Sequence, residues 1–165
     1  MIDKCRVLYK GDMIAGIVYI IVGFFLLMFA FILHIFTISP GYLYLSYGFF
    51  MFFLYCTGKG IVMYIMYSQK YNHYKNTDSL SPLMIEEEQN YTNYRIQKKN
   101  TNRRRYIWIL IISCIISFTG IFLSQKSFLM GTAIPIALIS GIELCIGLLT
   151  EFRLREYQRI LKKTH

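Results

Sequence analysis

The sequence contains few of the side chains from which catalytic and metal sites are built. Three histidines stand at positions 34, 73 and 165, in different regions of the chain and without a nucleophile at a useful spacing. Four cysteines, at positions 5, 56, 114 and 145, form no CxxC pair, which argues against a zinc site or a disulfide framework. We interpret them as small apolar packing groups. The sequence therefore predicts no enzymatic activity, no metal and no cofactor.

Acidic residues are scarce as well, with nine Asp and Glu against 18 Lys and Arg and a net charge of +9. The one acidic run, Glu86–Glu88, is typical of a solvated helix start rather than of a metal site. The GKG triplet at 58–60 lacks the GxxxxGK[ST] pattern of a phosphate loop and lies in an apolar run instead of a strand-to-helix turn. This excludes a phosphate loop, so the net charge of +9 must have another origin.

Polar residues are nearly missing from four long stretches. The chain is 55% hydrophobic, whereas ordinary soluble domains are ~45–50% apolar, and a soluble helix would show polar residues at every second or third position. A bilayer core takes roughly 20 apolar residues, and the first stretch is too long for a cleavable signal. We therefore predict an all-α integral membrane four-helix bundle. Its helices are Met13–Ile38, Tyr42–Tyr67, Tyr106–Leu123 and Phe128–Thr150.

Lysine and arginine are distributed unevenly among the segments outside these stretches. The N-terminal tail has three, the 70–105 segment eight and the C-terminal tail five. The ISPGY turn has none, and the SQKSF turn has Lys126 alone. Because short loops rich in Lys and Arg stay on the cytoplasmic side, we predict that both termini and the long central loop are cytoplasmic. The two tight turns then lie outside.

The predicted organisation is two membrane hairpins, residues 1–68 and 106–152, joined by a cytoplasmic loop at 69–105 and followed by a basic amphipathic tail at 153–165. Tyrosines at helical spacing extend the second helix to about His73, and TDSLSP then breaks it. MIEEEQNYTNYRIQKK forms a second short helix, with its acids early and its bases late. These short extensions either pack into a cytoplasmic layer or lie solvated on the headgroups.

Two ionisable residues stand inside the apolar stretches. Lys59 lies about eight residues from the inner end of the second helix and Glu143 a similar distance from that of the fourth, so both sit ~12 Å inside the cytoplasmic boundary. An unpaired charge in the bilayer costs at least about 2.5–3.5 kcal/mol. We therefore predict that the two pair within the bundle. The alternatives are a water-filled pore, a neighbouring subunit, snorkelling of Lys59 and neutralisation of Glu143.

Small residues flank both charges and indicate close helix packing. They repeat every four residues along the fourth helix, where they allow another helix to approach, and Pro135 predicts a kink there. Stripes of this kind serve packing within a chain or between copies of it. The predicted packing residues are Gly58, Gly60, Ala133, Ala137 and Gly141.

Arginines cluster where the third helix enters the membrane and the fourth leaves it. Cations in these positions interact with anionic headgroups at about 1 kcal/mol each. No recognition motif accompanies them that would support nucleic-acid binding. We therefore predict contact with an anionic bilayer surface and no nucleic-acid partner. The predicted headgroup contacts are Arg103, Arg104, Arg105, Arg153 and Arg155.

The function expected from these features is that of a self-associating, non-enzymatic membrane module. Its 70–105 and 153–165 segments would receive a cytoplasmic protein partner or signal, and its output would be a change in permeability, as in a pore-former or a bacterial antiviral defence effector. The alternatives are a structural subunit of a larger membrane complex and a small ion- or proton-coupled transporter with Glu143 as its site. A bias towards Ile, Tyr, Phe, Lys and Asn is typical of an AT-rich genome, which favours a bacterial inner (plasma) membrane or an organellar inner membrane.

Overall fold

The computed structural model describes residues 2–36, 39–76, 81–122 and 127–163, and these form four long helices. The all-α class is therefore confirmed. Residues 77–80 of the predicted TDSLSP break, Lys126 of the second turn and His165 lie outside the described residues. The helices are α1 (Ile2–Ile35), α2 (Pro40–Lys75), α3 (Pro82–Phe122) and α4 (Ser127–Lys163).

Each helix continues beyond the apolar stretch from which it was predicted. α1 begins at Ile2 rather than Met13, and α4 runs on to Lys163. The MIEEEQNYTNYRIQKK segment, predicted as a separate short helix, is the first part of α3 and is continuous with its apolar part. No glycine or proline occurs between Leu83 and Thr119, so nothing interrupts the backbone hydrogen bonds once the helix has formed. This segment therefore continues the apolar part of α3, and α2 ends at Lys75, close to the predicted His73.

Three of the described helices are long and apolar enough to cross a membrane: α1 over Asp3–Ile35, α2 over its whole length and α4 over Gly131–Leu161. In α3 the apolar part is Tyr106–Phe122. Large apolar side chains lie on the outside of the helices, and Phe25, for example, is 57% exposed. A soluble monomer rarely exposes an apolar surface of this extent, so the structure indicates a membrane protein. The fourth span, the insertion and the orientation stay predictions.

The helices pack as two hairpins that meet through α4. α1 lies against α2 and α3 against α4, while α2 and, less extensively, α1 contact α4. Within the described ranges, α3 brings its backbone close to α4 alone and reaches α1 and α2 through long side chains. This leaves a space between α2 and α3.

Glycines set the closest approaches between helices. A Cβ at Gly60 of α2 would lie 2.7 Å from the carbonyl oxygen of Gly16 in α1. A Cβ at Gly131 of α4 would lie 2.5 Å from Tyr44 Cβ in α2. Neither site has room for a side chain, so the two pairs of backbones touch there. These contacts hold α1 against α2 at Gly60 and α4 against α2 at Tyr44, near the N-terminal end of α2.

The buried residues form two clusters. One lies along the apolar parts of α1, α2 and α4 and includes Tyr19, Phe49 and Ile139. The other joins the polar ends of the same helices, and side chains of α3 pack against it. Of the two arrangements that the sequence leaves open for these ends, the structure shows the packed one. Four tyrosines of this second cluster form what we call the tyrosine layer: Tyr9, Tyr67, Tyr74 and Tyr157.

Candidate functional site

An ion pair inside the apolar part of the molecule joins α2 to α4. Lys59 Nζ lies against Glu143 Oε1, and the Glu143 side chain is 4% exposed. The Tyr55 hydroxyl donates to the same carboxylate oxygen at 3.1 Å, and Lys59 donates to the Tyr19 hydroxyl at 3.2 Å. The structure therefore brings both charges together within one chain and surrounds them with hydroxyl groups from α1 and α2.

Aromatic rings also contact the Lys59 ammonium group. Its Nζ lies 4.5 Å from the centroid of the Tyr19 ring and 5.6 Å from that of Tyr55. A cation over an aromatic face is stabilised by about 0.5–2 kcal/mol, more as it is desolvated. The ammonium is thus held by groups of α1 and α2, while the Lys59 side chain as a whole keeps 27% of its surface exposed.

A second buried cluster of charges ties α1 to α3 and α4. Asp12 Oδ2 accepts a hydrogen bond from Arg95 at 2.6 Å, and its Oδ1 lies 3.7 Å from Arg153 Nη2. Burial lowers the pKa of Arg95, but Asp12 and nearby tyrosines raise that pKa above its ordinary value, so the guanidinium stays charged. Gly11 makes room for this cluster, because a Cβ there would lie 1.8 Å from Arg153 Nη1.

Two further carboxylates are buried where α3 meets its neighbours. Glu88 accepts a hydrogen bond from the Tyr9 hydroxyl at 2.6 Å and another from the Tyr74 hydroxyl. Glu151 of α4 binds Arg103 of α3, with 2.9 Å between the nitrogen and the oxygen. The polar part of α3 is thus attached to the tyrosine layer at one point and to α4 at another.

Asp12, Glu88, Arg95 and Glu151 were not among the predicted site residues. The Glu86–Glu88 run is predicted to be a solvated helix start, but this is wrong for Glu88, which is buried because Tyr9 and Tyr74 donate to its carboxylate. A signal was nevertheless present in the sequence. Asp12 follows Tyr9 by three positions and precedes Gly16 by four, so the helical period places it on the face that α1 buries. The helical period, extended beyond the apolar stretch, therefore indicates that Asp12 is buried.

A cavity of about 360 Å³ lies between α2, α3 and α4, where α3 stands away from α2. Lys59 and Glu143 form part of its wall, and side chains from the polar part of α3 form another. The cavity therefore connects the Lys59–Glu143 ion pair to the polar end of the molecule. Glu143 is its one carboxylate among the described residues, whereas five cations line it: Lys59, Arg95, Lys98, Lys99 and Arg103.

The predicted packing residues divide into two groups. Gly60 packs on α1 as described above, Ala133 is buried and Ala137 is half-buried. A Cβ at Gly58 or Gly141 would meet no atom within 4 Å. These two glycines therefore make no close helix contact within the described part of the chain, and a role between copies stays a prediction.

The predicted headgroup arginines differ in the ion pairs they form, and their contact with headgroups stays a prediction. Arg103 and Arg155 both bind Glu151, and Arg153 reaches Asp12. Three of the five therefore pair with carboxylates of the same chain. The Glu151–Arg155 pair has the i,i+4 spacing that a sequence reveals, whereas the partners of Arg103 and Arg153 lie on other helices. The other two, Arg104 and Arg105, are exposed and form no ion pair with a described residue.

The site thus consists of fixed charges around a cavity. Among the described residues, no group of three His, Cys, Asp or Glu side chains could hold a metal ion. The chain matches no protein-family model, and neither a curated protein nor a solved structure gives a significant match. The arrangement of Lys59, Glu143 and the cations of α3 is therefore the basis on which a function can be proposed.

Proposed function

We propose that the chain is a non-enzymatic, self-associating integral membrane protein that receives a partner or signal on its cytoplasmic side and responds by changing membrane permeability. The observation that supports this best is the cavity. It extends from the Lys59–Glu143 pair in the apolar region to the basic residues of α3. A binding event at the polar end would therefore act directly on the surroundings of an intramembrane charge pair.

The attachment of α3 suggests how such a response would travel. Its polar part is held to the rest of the molecule by the Arg95–Asp12 and Glu88–Tyr9 contacts, while its apolar part packs closely on α4 alone. A shift of α3 would open or close the cavity beside Lys59. Such a shift requires an input that favours one of two positions of α3.

Self-association is supported by the apolar surface that α3 presents. Trp108 and Phe118 are 65% and 66% exposed, and this face packs closely on neither α1 nor α2 within the described ranges. Copies of the chain that met through it would place several cavities around one axis. The function would suit a small defence effector in a bacterial inner membrane.

A structural subunit of a larger membrane complex is the second candidate. The same exposed face of α3 favours it, since a different membrane protein would cover that face as well as a second copy would. In that case the Lys59–Glu143 pair would fix the register of α2 against α4 and have no part in permeability. The two candidates differ in what accompanies the purified chain.

The test combines the mass in a mild detergent with ion flux in liposomes. We expect a closed homo-oligomer, and a flux that Glu143→Gln alters. Glu156→Gln is the matched control, because it removes the same charge from an exposed residue of the same helix. Co-purification with other chains in fixed ratio would favour the subunit instead. A monomer without flux under any condition would contradict the proposal.

A further inference from the structure

We propose that the cavity between α2, α3 and α4 is a binding site for a phosphate group, carried either by an anionic phospholipid or by a soluble phosphate ester. The first support is the balance of charge in its wall. Lys59, Arg95 and Arg103 each pair with a carboxylate. Lys98 and Lys99 have no ion pair with any described residue. The half-buried Lys99 and the more exposed Lys98 are thus both available to an anion in this concave site.

The second support comes from Arg95, which is buried in the wall with 8% of its side chain exposed. One of its terminal nitrogens binds Asp12, but the other, Nη1, is buried without a hydrogen-bond partner among the described residues. A buried charged donor in this state costs free energy. An anion in the cavity would offset that cost, and phosphate suits guanidinium and ammonium donors together.

The third support is the state of Lys99. Its burial, together with the nearby charges of Lys59 and Arg95, lowers the pKa of Lys99. The folded protein therefore holds an ammonium group where its charge is disfavoured, which is more typical of a binding site than of a group that stabilises the fold. An anionic ligand would reverse the balance and favour the charged form.

The size and remaining lining of the cavity suit a phosphate with a small organic group attached. A volume of about 360 Å³ exceeds what a phosphate alone needs. Tyrosine rings provide apolar faces beside the cations, and Tyr67 and Tyr91 lie 5.0 and 5.6 Å from the Arg95 guanidinium carbon. The rings that line the cavity are those of Tyr67, Tyr91, Tyr94 and Tyr106.

Thermal unfolding of the full chain in an uncharged detergent tests the site without a permeability measurement, so its outcome is independent of the proposed function. Two probes represent the two sources: dihexanoylphosphatidylglycerol for the lipid and AMP for a soluble ester. Their phosphate-free counterparts are dihexanoylglycerol and adenosine. Because a ligand of the folded state raises Tm, we expect a rise with at least one phosphate probe and none with its counterpart. The probe that acts identifies the source.

The variant that removes the unpaired charges is Lys98→Gln with Lys99→Gln. We expect it to weaken binding about ten-fold or more, since the loss of one charge-assisted hydrogen bond to the phosphate already lowers affinity by about that factor. Lys4→Gln with Lys10→Gln removes the same charge from exposed positions of α1 and should bind like the wild type. The Tm of each variant without ligand shows whether it is folded. Replacing Lys99 should not lower this Tm, so weaker binding by the variant would reflect the site itself.

Three results would overturn the proposal. The first is an unchanged Tm with both phosphate probes. The second is an equal rise with the phosphate-free counterparts, which would make the attached group the ligand. The third is wild-type binding by the Lys98 and Lys99 variant, which would place the phosphate elsewhere on this basic protein.

Discussion

Lys59 and Glu143 are opposite charges in a part of the chain that is otherwise apolar. Each would cost several kcal/mol if it were left alone in that environment, so their contact offsets a penalty that the fold would otherwise carry. Tyr19 and Tyr55 add hydroxyl groups to the same site. The pair therefore constrains the fold, because only one register of α2 against α4 brings the two groups together.

Single and double substitution measures how strongly the two residues depend on each other. We expect Lys59→Met to lower the free energy of unfolding by about 3 kcal/mol, because it leaves the Glu143 carboxylate buried and unpaired. Glu143→Gln should have a smaller cost, since the amide oxygen can still accept hydrogen bonds from Lys59 and Tyr55. The double variant should be more stable than the sum of the single effects predicts, by about 1–3 kcal/mol. Strictly additive effects, measured by denaturation in detergent, would show that the contact does not stabilise the protein.

At the scale of helices, the fold depends on where the helices run and on where their backbones touch. The sequence predicts the first better than the second. The apolar stretches predict all four helices, because a run of roughly 20 apolar residues has the length of a helix that spans a bilayer. Depth along two of them predicts the Lys59–Glu143 contact. The pattern of small residues predicts less, since it cannot tell Gly58 from Gly60. Only the facing helix decides that, and it approaches at Gly60 and not at Gly58.

This difference between neighbouring glycines can be tested directly. Gly60→Ala places a Cβ 2.7 Å from both the Gly16 carbonyl oxygen and Ile20 Cγ1, so α1 and α2 must separate. We expect it to lower the free energy of unfolding by about 1–3 kcal/mol. Gly58→Ala is the matched control, because its Cβ meets no atom and alanine favours helix by up to about 1 kcal/mol. Equal destabilisation by both would mean that the close approach at Gly60 is absent in the membrane.

At the scale of the whole molecule, the polar ends of the helices form a packed layer with its own ion pairs and hydrogen bonds. The tyrosine layer, the Asp12 cluster and the Glu88 and Glu151 contacts hold four helix ends together. From the sequence, the helical period indicates that Asp12 is buried, but it does not identify the partners of Asp12, Glu88 and Arg103, because those partners lie on other helices. A packed layer of this kind gives the predicted cytoplasmic face a defined shape, which a partner or ligand can recognise.

The orientation of that layer is the prediction on which the proposed function depends. Cysteine labelling of cells that express the chain tests it, with Ser39→Cys before α2 and Asn90→Cys in the polar part of α3, both of which are exposed. Because the Lys- and Arg-rich segments should remain inside, an impermeant maleimide should label Ser39→Cys in intact cells. It should label Asn90→Cys only after the cells are opened. The parent chain is the control, since Cys5 and Cys56 are buried and Cys114 and Cys145 lie in apolar stretches. Labelling of Asn90→Cys in intact cells would place the basic cavity on the outer side, and a cytoplasmic signal could then not reach it.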